Sequence, residues 1–370
     1  MPLLFLESFY GGSHRDFAEG LIAHSRHDIL LATLPARFWK WRMRGAALHF
    51  ARAVPDLTAY DGIITTGLMS LADLTALCAG RRPPTLLYCH ENQLTYPLAP
   101  GEKMDLQFGF TDITSALCAD RILFNSHFHH DRFFHELPAF ISRMPEFKPH
   151  WTVAAIRQKA DVLYPGCRFA ATPVKPDPLP EGPPLVIWNH RWEFDKNPEA
   201  FFNALERIDR MGIDFRLAVM GEASRRKPSV FEKMRSRFGS KTIQYGYVPD
   251  RGAYAAILAK GFVVVSTAIQ ENFGIAMVEA MRHGCLPLMP HRLSYPEILP
   301  MEFHKSFLYR DDADLTQKLA DMLLHPERFT GHRLVLSAMM ARHAWPSVVE
   351  RYDRELEALM LKGGWRTESG

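Results

Sequence analysis

The sequence has little cysteine: five residues in 370, at positions 78, 89, 118, 167 and 285. The number is odd, the positions are scattered and no CxxC pair occurs. Neither a disulfide framework nor a structural zinc site is expected, and a reducing cytoplasm fits best. No apolar run approaches the roughly 18 residues of a membrane span, so no membrane partner is expected. Nor is a secretory leader expected: the apolar stretch over residues 1–9 has no basic segment before it, and Glu7 interrupts it. Nor does charge of one sign dominate. Lys and Arg total 44 against 41 Asp and Glu, a net +3 that is too small for an obligate nucleic-acid coat. A local basic patch would still suffice for an RNA substrate.

What is present is an ordinary globular composition, 47% apolar and 23% charged. At ~150 residues per domain the length suggests two to three domains. Pro2–Leu6 is a short continuous apolar run that reads as a buried parallel strand. Gly11-Gly12-Ser13 follows, then an amphipathic helix from about Arg15. Further apolar runs recur at 28–32, 62–66, 85–88, 121–124 and 161–164, with helical patterns between several of them. Six prolines between Pro173 and Pro184 mark a stiff linker. A second series of strands follows it, at 185–189, 215–220, 242–246, 262–266 and 286–289, with helices over 198–211 and 230–238. A charged amphipathic helix closes the chain from about Trp345 to Leu361. The alternation predicts an α/β fold of two doubly wound, Rossmann-like domains. Residues 1–170 would form one and 185–344 the other, with a linker at 171–184 and a C-terminal helix and tail at 345–370. Ligands bind at the carboxyl ends of such strands. Two such edges facing across a cleft would suit a reaction between a nucleotide-bearing donor and a separate acceptor.

Four segments at strand ends carry candidate chemistry. Glu271-Asn272-Phe273-Gly274-Ile275-Ala276-Met277-Val278-Glu279 follows one strand and opens a helix. Its two acids are eight apart, about two helical turns, so they can share a face. Gly274 permits close backbone approach, and free N–H groups at a helix start can hold a phosphate. One carboxylate can accept from sugar hydroxyls and the other from a ribose diol; an ordinary capped helix has the same pattern. His190-Arg191-Trp192-Glu193-Phe194-Asp195-Lys196 ends another strand. Arg191 and Lys196 can neutralise a diphosphate, which matters because no DxD-type metal site is evident; the plain alternative is a solvated loop. In the first domain, Cys89-His90-Glu91-Asn92-Gln93 offers His90 to a sugar or an acceptor, or a satisfied core histidine. Gly11-Gly12-Ser13-His14 offers a loop that a phosphate can approach, or a tight turn.

Between Asp28 and Asp56 there is no acid, and Arg37-Phe38-Trp39-Lys40-Trp41-Arg42-Met43-Arg44 interleaves cations with aromatic rings. Such a segment can pair with phosphates and stack on unpaired bases, or be a basic helix with its tryptophans turned inward. Arg225-Arg226-Lys227 is a weaker second patch. His127, His129, His130 and His135 match no standard metal spacing and read as helix-surface and core histidines.

These residues are recognisable as a set. Arg191, Lys196 and the E-x7-E pair Glu271 and Glu279 resemble the retaining glycosyltransferases of the two-domain GT-B fold, family four. The segments ESFYGGSH (7–14), LPARFWKWRMR (34–44), HENQLTYP (90–97), FNS (124–126) and HRWEFDKNPE (190–199) resemble the tRNA-queuosine mannosyltransferase family, over nearly the whole chain. The resemblance implies transfer of mannose from GDP-mannose to the cyclopentene-diol of queuosine in tRNA-Asp, with no metal and no cofactor, by a monomer or homodimer. It implies that the C-terminal helix crosses back to the first domain. It places Glu271 at the donor sugar, the Asn272-Phe273-Gly274 backbone at its hydroxyls and phosphate, and Glu279 at the ribose. Arg191 and Lys196 would meet the diphosphate, with Gly11 and Gly12 facing it, and Tyr247 would lie near the guanine. His90 would stand by the sugar. Ser13, His14, Glu91, Asn92 and Gln93 would face the acceptor, and Trp39, Lys40, Arg42 and Arg44 the tRNA. A transferase for another nucleotide sugar, or for a lipid or polysaccharide acceptor, shares the donor motif. A sugar-nucleotide epimerase or a non-catalytic binder of tRNA or nucleotide sugar are further readings.

Overall fold

The computed structural model describes residues 2–78, 80–99, 101–169, 178, 181–223 and 228–362. Most of the proline-rich stretch, and the cluster at 225–227, lie outside the described residues. The chain forms two compact units: residues 1–168 with 343–370, and residues 169–342.

The first unit is a six-stranded sheet, every pair parallel. Its strands are β1 (Leu3–Tyr10), β2 (Ile29–Pro35), β3 (Ile63–Thr66), β4 (Thr85–Cys89), β5 (Arg121–Phe124) and β6 (Ala160–Val162), in the order β2-β1-β3-β4-β5-β6. β1 is longer than its apolar run. It continues to Tyr10 through Glu7 and Ser8, both buried, because their side chains find partners on the neighbouring strand and loop. One face of the sheet packs on Phe50, Leu71, Ile113 and Leu137. The other packs on Phe17, Trp345, Tyr352 and Leu356, so the C-terminal helix Trp345–Lys362 is part of the first unit's core rather than a separate tail. Gly20 exists for that contact: a Cβ there would lie 1.8 Å from Nε1 of the buried Trp345. Ser25 Oγ donates to Asp353 at 2.5 Å, and the Tyr352 hydroxyl donates to the Tyr164 carbonyl at 2.9 Å, which fixes the helix further.

The second unit holds β7 (Leu185–Asn189), β8 (Arg216–Met220), β9 (Thr242–Gly246), β10 (Val263–Val265), β11 (Leu286–Pro290) and β12 (Leu308–Tyr309), again all parallel, in the order β12-β11-β10-β7-β8-β9. The central residues Val186, Ile187, Val264 and Val265 are fully buried, as strands covered on both faces require. β12 has only two residues and carries no sequence pattern of its own. In each sheet the chain builds outward one way and then reverses, between β1 and β3 in the first and between β7 and β10 in the second. Ligands of doubly wound sheets bind at such switch points, beyond the carboxyl ends of the strands. Among the described residues no helix is long and apolar enough to cross a membrane.

Candidate active site

In the second unit, the loops after β7 and β10 are knitted together at the switch point. The Ile269 N–H donates to the Asp195 carbonyl at 2.8 Å, and the Thr267 hydroxyl donates to the carbonyls of Lys196 and Asn197 at 2.9 Å. Lys196 is buried and reaches across the seam. Its Nζ donates to the Gln270 carbonyl at 2.7 Å and lies 3.3 Å from both Glu271 Oε2 and Asp195 Oδ2. Burial pushes the Glu271 carboxyl up, but Lys196, His190 and Arg191 more than offset it, and its pKa lies below the usual value. His190 is driven the other way: burial and Lys196 bring it down to about 4, so the ring is neutral at pH 7. Its Nε2 is buried with no hydrogen-bond partner. Gly221 lets the His190 carbonyl in: its φ is +148°, and a Cβ there would stand 1.9 Å from that oxygen.

The helix after β10 runs over Ile275–Arg282 and opens at Gly274 with φ +98°, so Glu271 stands before it, as expected of the first acid, and Glu279 lies on it. The two carboxylates are therefore set by a loop and a helix, with the turn at Gly274 between them. Asn272 is buried and its Oδ1 accepts from Gln270 Nε2 at 2.9 Å. Ser294 Oγ donates to the Phe273 carbonyl at 2.9 Å, pinning the turn from below. Glu279 is half-buried, close enough to Tyr254 to add to the rise that burial imposes on its phenol. Asn189, at the end of β7, donates to the Tyr254 hydroxyl at 2.9 Å and to the Ala276 carbonyl at 3.0 Å. Arg191 is placed differently from Lys196: it is exposed and pairs with Glu193 at 3.3 Å. Tyr247 is exposed beside Gly246, at the end of β9.

In the first unit, β1 and β4 bring a second cluster to the carboxyl edge. His14 sits in the first turn of the helix Gly12–His24, buried between two carboxylates. Nδ1 is 3.2 Å from Glu7 Oε1 and Nε2 is 3.3 Å from Glu91 Oε2. Burial opposes the charge on this ring, but Glu7 and Glu91 outweigh it and raise the pKa to about 10. Glu7 Oε1 also accepts from the Phe9 N–H at 2.8 Å and the Thr66 hydroxyl at 3.1 Å, while its Oε2 is buried without a partner. The His90 ring lies 4.2 Å from that of His14. Burial, then the charge of His14, hold it well below its ordinary value. One charged and one neutral imidazole thus stand side by side. Glu7, His14 and His90 have ligand atoms within 4.8 Å of one another, the spacing of a metal site.

The loop carrying His90 is braced from behind. Asn125 Nδ2 donates to the His90 carbonyl at 3.0 Å, and its Oδ1 lies 2.8 Å from His129 Nδ1. Asn92 Nδ2 lies 2.8 Å from His129 Nε2. The two amides fix His129 as the Nδ1–H tautomer, and burial lowers its pKa to about 3. His129 is therefore a structural clamp in the core. The Gln93 N–H donates to Asp112 at 2.6 Å. Gly12 has φ +51° and open space beside it, whereas a Cβ on Gly11 would strike the Ala36 Cβ at 2.4 Å. Ser13 is exposed in the first turn.

The basic segment forms the helix Trp39–Ala53. Its two tryptophans divide the two readings between them. Trp39 packs on Phe108 at 5.2 Å, with Lys40 over its ring, while Trp41 is 76% exposed. Arg44 lies over Phe108 at 5.5 Å, and Arg42 donates to the Pro35 carbonyl at 3.1 Å.

Comparison with known proteins follows this division. Residues 2–167 match the model of the tRNA-queuosine alpha-mannosyltransferase N-terminal domain, and residues 173–332 that of glycosyl transferases group 1. A tRNA-queuosine alpha-mannosyltransferase of Drosophila melanogaster is 37% identical over 344 residues, 90% of this chain and 89% of that protein. The chain belongs to the tRNA-queuosine alpha-mannosyltransferase family. A GDP-mannose:cellobiosyl-diphosphopolyprenol alpha-mannosyltransferase of Xanthomonas campestris is 24% identical over 180 residues, 47% of each chain. In structure, the sucrose-phosphate synthase of Thermosynechococcus elongatus matches with a TM-score of 0.74 at 15% identity, over 98% of this chain and 100% of that one. The Anabaena protein HepE, solved with UDP and glucose, matches with a TM-score of 0.67 at 15% identity, over 97% and 100%. The fold is that of the GT-B glycosyltransferases, and membership of the family makes the chain a glycosyltransferase.

Sequence reading passed over Glu7, Asp195, Gln270 and Gly221. Glu7 had a signal: an acid inside an apolar strand, seven residues before a histidine, must be paired or expelled.

Proposed function

We propose that this protein transfers mannose from GDP-mannose to the cyclopentene-diol of queuosine at the wobble position of tRNA-Asp. The observation that carries the reading is family membership over 90% of the chain. The choice of GDP-mannose is supported by the mannosyltransferase name of that relative and by the similarity of about half the chain to a GDP-mannose-using protein. The compartment is the cytoplasm, where tRNA is found.

The proposed roles follow from the site. Glu271 and the Asn272-Phe273-Gly274 backbone hold the sugar, and Glu279 the ribose. Lys196, already committed to the seam beside Glu271, neutralises the diphosphate, and Arg191 swings from Glu193 to join it. These two cations supply the charge that a metal supplies in other transferases, so the reaction requires none. Gly11 and Gly12 give the diphosphate room, and neutral His90 stands by the sugar. Ser13, His14, Glu91 and Gln93 face the acceptor diol, with Asn92 bracing their loop through His129; Lys40, Arg42 and Arg44 face the tRNA, and Trp39 is turned onto Phe108 and braces their helix instead of stacking on a base. A queuosine hydroxyl attacks the anomeric carbon on the face the diphosphate leaves. The new C–O bond forms as the sugar–phosphate bond breaks, and the hydroxyl proton passes to the departing phosphate oxygen, giving GDP. Charge stabilisation of that leaving group is the main contribution asked of the protein. The test is transfer of labelled mannose from GDP-mannose to tRNA-Asp carrying either queuosine or guanosine at the wobble position. Label is expected only on the queuosine form; label on both, or on neither, contradicts the reading.

A further inference from the structure

Four non-glycine residues among those described have positive φ: Phe38, Phe147, Asn197 and Leu293. Two are phenylalanines in solvent. Phe38 (φ 56°) is 60% exposed and caps the basic helix Trp39–Ala53; Phe147 (φ 49°) is 87% exposed. The left-handed region is costly for a bulky side chain, and exposure means that burial returns nothing for it. Phe147 is followed by Trp151, itself 65% exposed at the start of the helix Trp151–Arg157. Between residues 143 and 159 the one acid is Glu146, against Arg143, Lys148, Arg157 and Lys159. The segment thus repeats the character of 37–44: a strained exposed phenylalanine, an exposed tryptophan and an excess of cations.

Both segments are anchored on the same stretch of chain. Arg143 Nη1 donates to Met104 Sδ at 2.8 Å, and Phe140 packs on Phe110 at 5.1 Å. From the same stretch, Phe108 carries Trp39 at 5.2 Å and Arg44 at 5.5 Å. Residues 104–110 therefore carry both segments on one support.

We propose that the tRNA is held by both patches, with Phe147 and Trp151 stacking on unpaired bases and Arg143 and Lys148 meeting the adjacent phosphates. The inference rests on the acceptor's being tRNA. Flat rings between cations suit unpaired bases and phosphates together, whereas an apolar protein partner would have no use for the cations.

The experiment uses the whole purified protein and queuosine-containing tRNA. Both rings are exposed, so Phe147→Ala/Trp151→Ala should fold, with the thermal melt and GDP-mannose binding of the parent. Its KM and Kd for tRNA should rise about tenfold or more while kcat at saturating tRNA stays near the parent value. Lys148→Ala should reduce the slope of log Kd against log salt by about one. If the parent binds and glycosylates tRNA but the double variant matches it in Kd and KM, the second patch is refuted and the transferase reading stands. If the parent binds no tRNA, both fall together. If the double variant loses a dimer that the parent forms, with tRNA affinity unchanged, the patch is a protein interface and the proposal is overturned.

Discussion

His14 in the first unit and Lys196 in the second hold the same kind of position. Each is a buried cation between two carboxylates at a switch point of its sheet: His14 lies 3.2 and 3.3 Å from Glu7 and Glu91, and Lys196 lies 3.3 Å from both Asp195 and Glu271. Each has a neutral histidine near it, His90 or His190. The difference lies in the cation. An ammonium stays charged through physiological pH on its own account, whereas an imidazole needs its carboxylates to do so. The second unit therefore carries a permanent charge suited to a diphosphate. The first carries a charge that exists because Glu7 and Glu91 impose it, and that sets the donor and acceptor character of the groups around His90.

The largest effect should come from breaking the permanent charge. Lys196→Met leaves Asp195 and Glu271 facing each other and removes the cation at the leaving group. Transfer should fall about 10²–10³-fold, the range for losing one preorganised charge-stabilising donor, with tRNA affinity unchanged; steady-state kinetics and a tRNA binding assay read both. Glu271→Gln keeps the shape and loses the charge. The transfer rate should fall by about tenfold to a hundredfold, again without loss of tRNA binding. A loss of tRNA binding in either variant would erase the division of labour between the units.

The imposed charge makes a prediction in pH. His14 has a folded pKa of about 10 against an ordinary 6.5. The stabilisation it brings is complete below pH 6.5 and is lost as pH rises through 10. His190 stands at about 4 against the same ordinary 6.5. Its contribution is complete above pH 6.5 and is lost as pH falls through 4. Thermal melts over the two ranges should separate them: Glu7→Gln should flatten the alkaline limb and leave the acid limb in place. Loss of the acid limb instead would contradict the assignment. The smallest effect is expected from Arg191→Ala. The side chain is exposed and paired with Glu193, so removing it should raise KM for the donor by about tenfold or less. An effect equal to that of Lys196→Met would make the two cations equivalent partners.

How much of this was legible in the sequence depends on how local each feature is. The strands before the glycine loop and around 185–189 announce themselves as unbroken apolar runs, and Glu271, Gly274 and Glu279 lie in one short segment whose spacing is a motif. Long-range features were hidden. Glu7 looks like a break in an apolar run; it becomes a partner of His14 because β1 continues to Tyr10 and Thr66 on β3 offers its hydroxyl. Asp195 and Gln270 acquire meaning where the loops after β7 and β10 meet. Gly221 matters through the carbonyl of His190, which the sequence places 31 residues away. Whether Trp39 or Trp41 faced solvent depended on Phe108, from a helix beyond the next two strands.

The most direct measurement is mass spectrometry of nucleosides from queuosine-containing tRNA after incubation with the protein and GDP-mannose, with UDP-glucose, UDP-galactose and no donor alongside. One hexose should be added to queuosine from GDP-mannose and none from the others. Addition from another donor alone would contradict the mannose assignment. No addition from any donor, on tRNA shown to carry queuosine, would contradict the account as a whole.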